Sequence, residues 1–258
     1  MEIRESSLMV TGGASGLGAA CARHLAAKGA RVMVVDLQKG PGTELANEIG
    51  GAYAHADVTD EEQVIAAVEG AMEQGPLRGL VACAGIAGPT RTIGRDGRFE
   101  SAYALDDFAR IVSVNLTGTF NCVRLAATAM SRNAPDADGQ RGAIVATSSV
   151  AATEGQVAQS AYAASKAGVE GMVLPLARDL AAAGIRVNAI APGLFETPFY
   201  DIAADAEDIK QNLLRDVLFP KRFGLPDEFA ALVGEMMRND YMNAQVVRLD
   251  GGVRLTKK

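Results

Sequence analysis

A doubly wound α/β fold, a single parallel sheet of seven strands flanked by helices, is what the pattern of this chain predicts. Short apolar runs recur between helical stretches along the whole length. Several are continuous, such as Val32-Met33-Val34-Val35 and Ala143-Ile144-Val145-Ala146, as strands covered on both faces should be. The run Thr11-Gly12-Gly13-Ala14-Ser15-Gly16-Leu17-Gly18 joins an apolar segment to a helix-forming one, which reads as strand, glycine turn and helix start. With 258 residues, 48% of them hydrophobic, the chain can bury a large core as one domain, so residues 1–258 are read as a single domain.

The elements follow in order. A strand over 7–11 enters a helix over 16–28, and a second strand, 30–36, ends in Asp36. A helix over 41–49, a strand over 52–56 and a helix over 60–74 come next. The last is opened by Thr59-Asp60-Glu61-Glu62, a cap followed by an acidic first turn that suits the helix dipole. After a strand over 79–83, the Gly- and Arg-rich stretch 86–103 falls at the carboxyl edge, where ligands bind in open α/β sheets. A long helix over 105–132, a loop over 133–141, a strand over 142–148, a helix over 160–182 and a strand over 185–190 continue the alternation. Residues 194–219 combine Pro198 with Phe195, Phe199, Tyr200 and Phe219 and a helical stretch, which reads as a substrate lid. A helix over 226–238 and a strand over 245–249 complete the sheet.

Two constellations carry chemistry. Gly12, Gly16 and Gly18 let the backbone turn tightly and approach a phosphate, and a pyrophosphate would rest on the helix N-terminus beyond them. Asp36, at the end of the second strand, can accept hydrogen bonds from a ribose diol. No Arg or Lys stands at 13–15 or at 37, so the acid would repel a 2′-phosphate and select NAD over NADP. Tyr162 and Lys166 are four apart in a helical segment and share one face. A free phenol has a pKa near ~10, and a cation about 4 Å away at an effective dielectric of ~20 is worth roughly 4 kcal/mol, enough to bring it toward a general base. Ser149 ends the fifth strand where its hydroxyl can hold a substrate oxygen, and strand alternation puts Ser148 on the other side. Asn115 is a polar interruption in the 105–132 helix, read by itself as a kink or a buried hydrogen bond.

The TGxxxGxG spacing recurring with Tyr162-x-x-x-Lys166 resembles the short-chain dehydrogenase/reductase family over essentially the whole length. Asp57-Val58, Cys83-Ala84-Gly85, Asn115, Ser149, Pro192-Gly193 and Thr197 fall in that family's order and spacing. The resemblance implies reversible NAD-dependent oxidation of a secondary alcohol to a ketone. Tyr162 would take the hydroxyl proton, Lys166 would hold the cofactor ribose and lower the phenol pKa, Ser149 would fix the oxygen, and Asn115 would hold water that links the lysine to solvent. Substrate would meet Ser149 and Tyr162. The dinucleotide would meet the turn at Gly12, Ser15, Gly16, Leu17 and Gly18, then Asp36, then Asp57 and Val58 around the adenine. Cys83, Gly85, Tyr162, Lys166, Pro192, Phe195 and Thr197 would complete its site. Ala82 stands where the family often has Asn.

The segments 149–179, 190–195 and 247–251, with the inserts 86–103 and 133–141, resemble a branch whose members act on acyl-CoA and steroid alcohols with NAD. A 3-hydroxyacyl-CoA is therefore the expected substrate, within fatty acid metabolism. A hydroxysteroid and, in the reductive direction, a 3-oxoacyl thioester are the alternatives, and a dinucleotide-binding sensor or scaffold is the reading from another class. Glu196 replaces a small residue beside Thr197. The 105–132 and 160–182 helices are where this family forms a four-helix interface, so a homotetramer is expected.

A net charge of −6 and a pI of about 5.1 argue against nucleic-acid and anionic-membrane partners. The basic cluster Arg91, Arg95 and Arg98 is a local exception, a solvated loop or a contact for a polyanionic ligand. Cys21, Cys83 and Cys122 show no metal spacing, and His24 and His55 are too few for a histidine site, so no metal is expected. Unpaired thiols, no apolar run in Met1–Ser7 and no stretch of roughly 20 apolar residues point to a cytoplasmic protein without a membrane span.

Overall fold

A computed structural model of the chain describes residues 1–198 and 206–256. Its strands are β1 (Ser7–Thr11), β2 (Arg31–Asp36), β3 (Ala52–His55), β4 (Leu77–Ala82), β5 (Gly142–Thr147), β6 (Ile185–Pro192) and β7 (Val246–Leu249). They form one seven-stranded sheet in the order β3-β2-β1-β4-β5-β6-β7, with every pairing parallel. The chain winds outward in one direction from β1 and then in the other from β4. The switch point between β1 and β4 is therefore where such a sheet opens a crevice at its carboxyl edge.

The helices are α1 (Gly16–Ala27), α2 (Lys39–Ile49), α3 (Glu61–Glu73), α4 (Leu105–Val112), α5 (Thr119–Met130), α6 (Ala151–Glu154), α7 (Ser160–Ala181), α8 (Ala206–Leu214) and α9 (Pro226–Arg238). Alternation along the central strands splits the core into two layers. Leu8, Val10, Val32, Val34 and Val145 face Leu25 of α1 and Phe229, Val233 and Met236 of α9. Met9, Met33, Val35, Leu80 and Ile144 face Val64 and Val68 of α3 and Val123 and Met130 of α5. Both faces are dry, which is why these strands read as unbroken apolar runs. Asp60 caps α3, its carboxylate accepting the Gln63 amide at 3.0 Å.

Three details depart from the sequence expectation. The 105–132 stretch is not one α-helix, because the π-helical segment Ser113–Gly118 separates α4 from α5. Its widened turn is matched by Thr119, whose hydroxyl donates to the Asn115 carbonyl at 2.7 Å. π-segments of this kind occur frequently at functional sites. The short helix α6 follows Ser149 directly and was not expected. The insert 86–103 carries a 3₁₀ turn, Phe99–Ser101, and is tied across to the 155–159 loop by the Thr90 amide donating to the Ala158 carbonyl at 2.9 Å. Phe199 and Tyr200, part of the expected lid, lie outside the described residues. No helix among the described residues is long and apolar enough to cross a membrane.

Candidate active site

The glycine turn sits at the switch point, between the ends of β1 and β4. Gly12 has φ 62°, and a Cβ there would come 2.7 Å from the Ala84 nitrogen. A Cβ on Gly18 would come 2.1 Å from the Gly12 carbonyl oxygen. Both positions exclude any side chain, so α1 starts tight beneath the turn. Ser15 is its N-cap, exposed and in extended conformation, with no side-chain capping bond. The first-turn amides at Gly16, Leu17 and Gly18 lie at the helix N-terminus, where amides have no intrahelical acceptor. Thr197 crosses this end, its Cβ and Cγ2 3.4 Å from where a Cβ of Gly16 would stand. Asp36 pins the turn to β2: its Oδ2 accepts the Ala14 amide and its Oδ1 the Gln38 amide, each at 3.0 Å. A carboxylate offers about four lone-pair sites, so each oxygen retains capacity for a sugar hydroxyl. This donor set, with anion-seeking amides, a diol-seeking acid and no room for a side chain between them, fits a dinucleotide.

Along the same edge, Asp57 accepts the Thr59 amide at 2.9 Å and the Thr59 hydroxyl at 2.7 Å, both on Oδ1, leaving Oδ2 for an outside donor. Val58 is buried, and its Cγ2 would stand 2.5 Å from a Cβ on Gly118. Its carbonyl accepts the Asn121 side-chain amide at 2.9 Å. Gly85 brings the chain past the reacting residues: a Cβ there would lie 3.2 Å from Asn115 Oδ1 and 3.5 Å from Lys166 Nζ. Asn115 is fully buried and clamps this segment, accepting the Ile86 amide at 2.8 Å and donating to the Ile86 carbonyl at 2.9 Å. It also donates to Ser165 Oγ at 3.0 Å, and Ser165 donates to the Tyr162 carbonyl at 2.7 Å. The polar interruption seen in the sequence is thus a buried clamp between the β4 exit and α7.

Ser149, Tyr162 and Lys166 converge on this clamp. Ser149 is buried and accepts the Ala151 amide at 3.1 Å. Ser148 points away, donating to Glu170 Oε1 at 2.8 Å and to the Lys166 carbonyl at 3.1 Å, and so fastens β5 to α7. Lys166 is buried, donates to the Thr147 carbonyl at 2.8 Å, and lies over the Tyr162 ring 5.7 Å from its centroid. Burial pulls its ammonium down to about 8, against a small opposing pull from Cys83. Burial also pushes the Tyr162 phenol up, against a smaller pull from Ser149. The expected drop in the phenol is not found in the protein alone, since the ammonium, directed at the Thr147 carbonyl, does not outweigh desolvation.

Pro192 ends β6 and accepts the Val150 amide at 3.1 Å. Phe195 turns its ring into the core, edge-on to Phe229 with centroids 6.0 Å apart, so it offers the site only backbone. Two contributors were not anticipated. Thr147 holds Lys166 by its carbonyl and donates its hydroxyl to Cys83 Sγ at 3.2 Å, and Ser165 links Asn115 to α7. Neither has a sequence signal beyond being polar beside a motif residue. A separate apolar wall stands next to Ser149, where Val150, Leu194, Val217, Phe223 and Val253 pack together.

A parallel sheet doubly wound about a glycine-turn crevice defines a nucleotide-dependent enzyme class, and the comparisons narrow it. The family model described as short chain dehydrogenase matches residues 7–208, and the chain belongs to the short-chain dehydrogenase/reductase family. It is an oxidoreductase of a family that generally uses nicotinamide cofactors. It is 46% identical over 256 residues to 3-hydroxyacyl-CoA dehydrogenase type-2 of Drosophila melanogaster, covering 98% of this chain and 99% of that one. The protein of the same name from Bos taurus is 48% identical over 250 residues, 96% of this chain and 94% of the relative. The crystal structure of 3-hydroxyacyl-CoA dehydrogenase type-2 from Mycobacterium avium superposes with a TM-score of 0.93 at 41% identity, covering all of both chains.

Proposed function

We propose that the chain, acting as one dinucleotide-binding and catalytic unit, catalyses reversible NAD-dependent oxidation of a 3-hydroxyacyl-CoA to the 3-oxoacyl-CoA. The observation that carries this is buried Ser149 at the end of β5 together with buried Lys166 over the Tyr162 ring, at the same sheet edge as the glycine turn and Asp36. Asp36, with Leu37 rather than a cation after it, supports NAD over NADP. Gly12, Ser15, Gly16, Leu17, Gly18, Asp36, Asp57, Val58, Gly85, Lys166, Pro192 and Thr197 would hold the dinucleotide, Phe195 through its backbone and Cys83 from beneath. When bound, the dinucleotide supplies a ring that accepts hydride.

Ser149 donates to and orients the substrate oxygen, and Tyr162 takes the hydroxyl proton. A phenol raised above its ordinary value is a weak acid and, holding its proton, a scarce base, so both directions of the reaction need it drawn back toward working pH by positive charge in the closed site. Asn115 and Ser165 keep Lys166 and Tyr162 in register, with Asn115 placed to hold the water that would return the proton to solvent. Arg91, Arg95 and Arg98, all exposed on the 86–103 insert, suit the anionic phosphates of CoA. Residues 194–219 would close over the thioester.

Leu105, Phe120 and Leu174, exposed on α4, α5 and α7, support a homotetramer built on those helices. Three unpaired cysteines support a reducing, cytoplasmic setting, and a 3-hydroxyacyl-CoA substrate would place the enzyme in fatty acid metabolism. A dehydrogenase screen with NAD over 3-hydroxyacyl-CoA chain lengths and hydroxysteroids tests the reading. Preference for an acyl-CoA supports it, preference for a steroid transfers the site to the alternative substrate, and NAD binding without turnover refutes it.

A further inference from the structure

Glu154 closes α6, the single turn that follows Ser149, and its carboxylate gathers contacts from distant segments. Oε1 accepts from Arg248 Nη1 of β7 at 2.9 Å and stands 3.5 Å from Arg254 Nε, while Oε2 accepts the Leu255 amide at 3.0 Å. Arg248 also meets Asp250, with Nε and Nη2 at 2.8 and 2.7 Å from Oδ2, and donates to the Val253 carbonyl at 3.0 Å. The stretch 250–256 is thereby strapped to α6. It is bound equally to the end of the expected lid. The Gly251 carbonyl accepts the Leu218 and Phe219 amides, each at 3.1 Å, and the Thr256 amide and hydroxyl donate to Asp216 Oδ2 at 3.2 and 3.1 Å. We propose that Glu154 is a positioning residue for the reaction, acting through Ser149, and that the strap 250–256 couples the alignment of Ser149 to the seating of residues 216–219.

The route from Glu154 to Ser149 is one helical turn. Ser149 Oγ accepts the Ala151 amide at 3.1 Å, the Ser149 carbonyl accepts the Ala152 amide at 3.0 Å, and the Glu154 amide donates to the Val150 carbonyl at 3.0 Å. A helix of four residues does not sustain itself, because its first turn fixes several dihedrals for very few hydrogen bonds. Its geometry is set by what grips its ends, which are β5 on one side and the Glu154 carboxylate on the other. Beneath it, Val253 of the strap is fully buried in one cluster with Val150, next to Ser149, and Val217, next to Leu218.

The charges of this hub balance, with two carboxylates, Glu154 and Asp250, facing two guanidiniums, Arg248 and Arg254. The acids are 20% and 10% exposed, so removing one partner leaves a shielded charge unpaired. The Arg23–Glu48 pair, 51% and 52% exposed, is by contrast an ordinary surface contact of small effect. The Gln156 side-chain amide donates to the Thr256 carbonyl at 3.1 Å, which fastens the strap to the loop beyond α6 as well. A change at Glu154 therefore loosens the turn that carries Ser149 and the segment that ends the lid together.

The inference rests on the reading that Ser149 orients the substrate oxygen, and a double-mutant cycle tests the two separately. Rates with a short-chain 3-hydroxyacyl-CoA and NAD affinity are measured for wild type, Glu154→Leu, Ser149→Ala and the double variant. Glu154→Leu should lose about tenfold in kcat, the scale of one hydrogen bond to a charged group, with NAD affinity kept. In the Ser149→Ala background the same change should cost less than about twofold, because no hydroxyl is left to align. Loss of the same factor in both backgrounds, or an unchanged kcat in Glu154→Leu, overturns the proposal. Arg248→Met, which breaks the hub from the other side, carries the same cycle if Glu154→Leu does not fold. Amide hydrogen exchange of the dinucleotide-free proteins gives a readout independent of activity. Exchange in Glu154→Leu should quicken together in peptides covering 149–156 and 213–219, and a rise confined to 250–256 refutes the coupling. Ser149→Ala with wild-type kcat would overturn the reading of Ser149 itself, and so is told apart from a failure at Glu154.

Discussion

Replacing Lys166 by methionine separates what the buried ammonium costs the fold from what it gives the chemistry. The fall of its pKa from 10.5 to about 8, at about 1.4 kcal/mol per unit, means that carrying the charge in this 5%-exposed position destabilises the native state by about 3 kcal/mol. Below about pH 8 both folded and unfolded lysine are charged, and the folded state bears the full cost. Between about 8 and 10.5 the folded group sheds its proton while the unfolded one keeps it, so wild-type stability rises with pH and the cost is lost. Methionine has no such dependence. The wild type should therefore gain on Lys166→Met by about 1.4 kcal/mol per pH unit in that window, and by about 3 kcal/mol in total. At neutral pH the variant also strands the Thr147 carbonyl, which costs about 1–3 kcal/mol. It should thus be as stable as wild type, or up to about 2 kcal/mol more so, while losing turnover and dinucleotide binding. Urea unfolding of both proteins at matched concentration, from about pH 7 to about pH 10, measures the difference directly. A stability gap that does not move with pH would refute the assignment of a costly buried ammonium to this site.

Other substitutions isolate other parts. Tyr162→Phe should keep NAD affinity but lose at least ~10²-fold in turnover, measured by initial rates and by titration of bound NAD. Asp36→Ala should narrow the preference between NAD and NADP, because it removes both the diol acceptor and the repulsion of a 2′-phosphate; initial rates with each cofactor decide it. Gly18→Ala, whose Cβ would meet the Gly12 carbonyl oxygen at 2.1 Å, should cost about 1–3 kcal/mol of stability and impair dinucleotide binding, visible in thermal unfolding with and without NAD. Replacing Arg91, Arg95 and Arg98 together by alanine should raise KM for an acyl-CoA and leave a neutral hydroxysteroid nearly unaffected; equal effects on both would return these arginines to an ordinary solvated loop.

The sheet was legible because a parallel sheet covered on both faces writes its strands as continuous apolar runs, and all seven fall where those runs lie, within two residues at each end. The helix before β3 begins two residues earlier than read. Lys39-Gly40-Pro41-Gly42 looks like a breaker, yet proline is tolerated in a first turn, and Gly42 gives way to the Tyr53 ring, which a Cβ would meet at 2.3 Å. The π-segment was not legible as such, since one widened turn barely shifts the apolar period; Asn115 was its only trace. The motif residues of the candidate site were legible through spacing, but their partners were not. The Thr147 carbonyl on Lys166, the Ser165 bridge and the inward turn of Phe195 all depend on contacts between distant elements. The sign of the Tyr162 shift was missed for the same reason, because burial depends on what the fold packs around the phenol.

The central claim is tested most directly by the initial rate of NADH formation when purified protein is given NAD and a short-chain 3-hydroxyacyl-CoA, beside Tyr162→Phe under the same conditions. Turnover by the wild type with NAD well above that with NADP, and its loss by at least ~10²-fold in the variant, is the predicted result. Turnover that survives in Tyr162→Phe, or a wild type that oxidises no 3-hydroxyacyl-CoA while binding NAD, would contradict it.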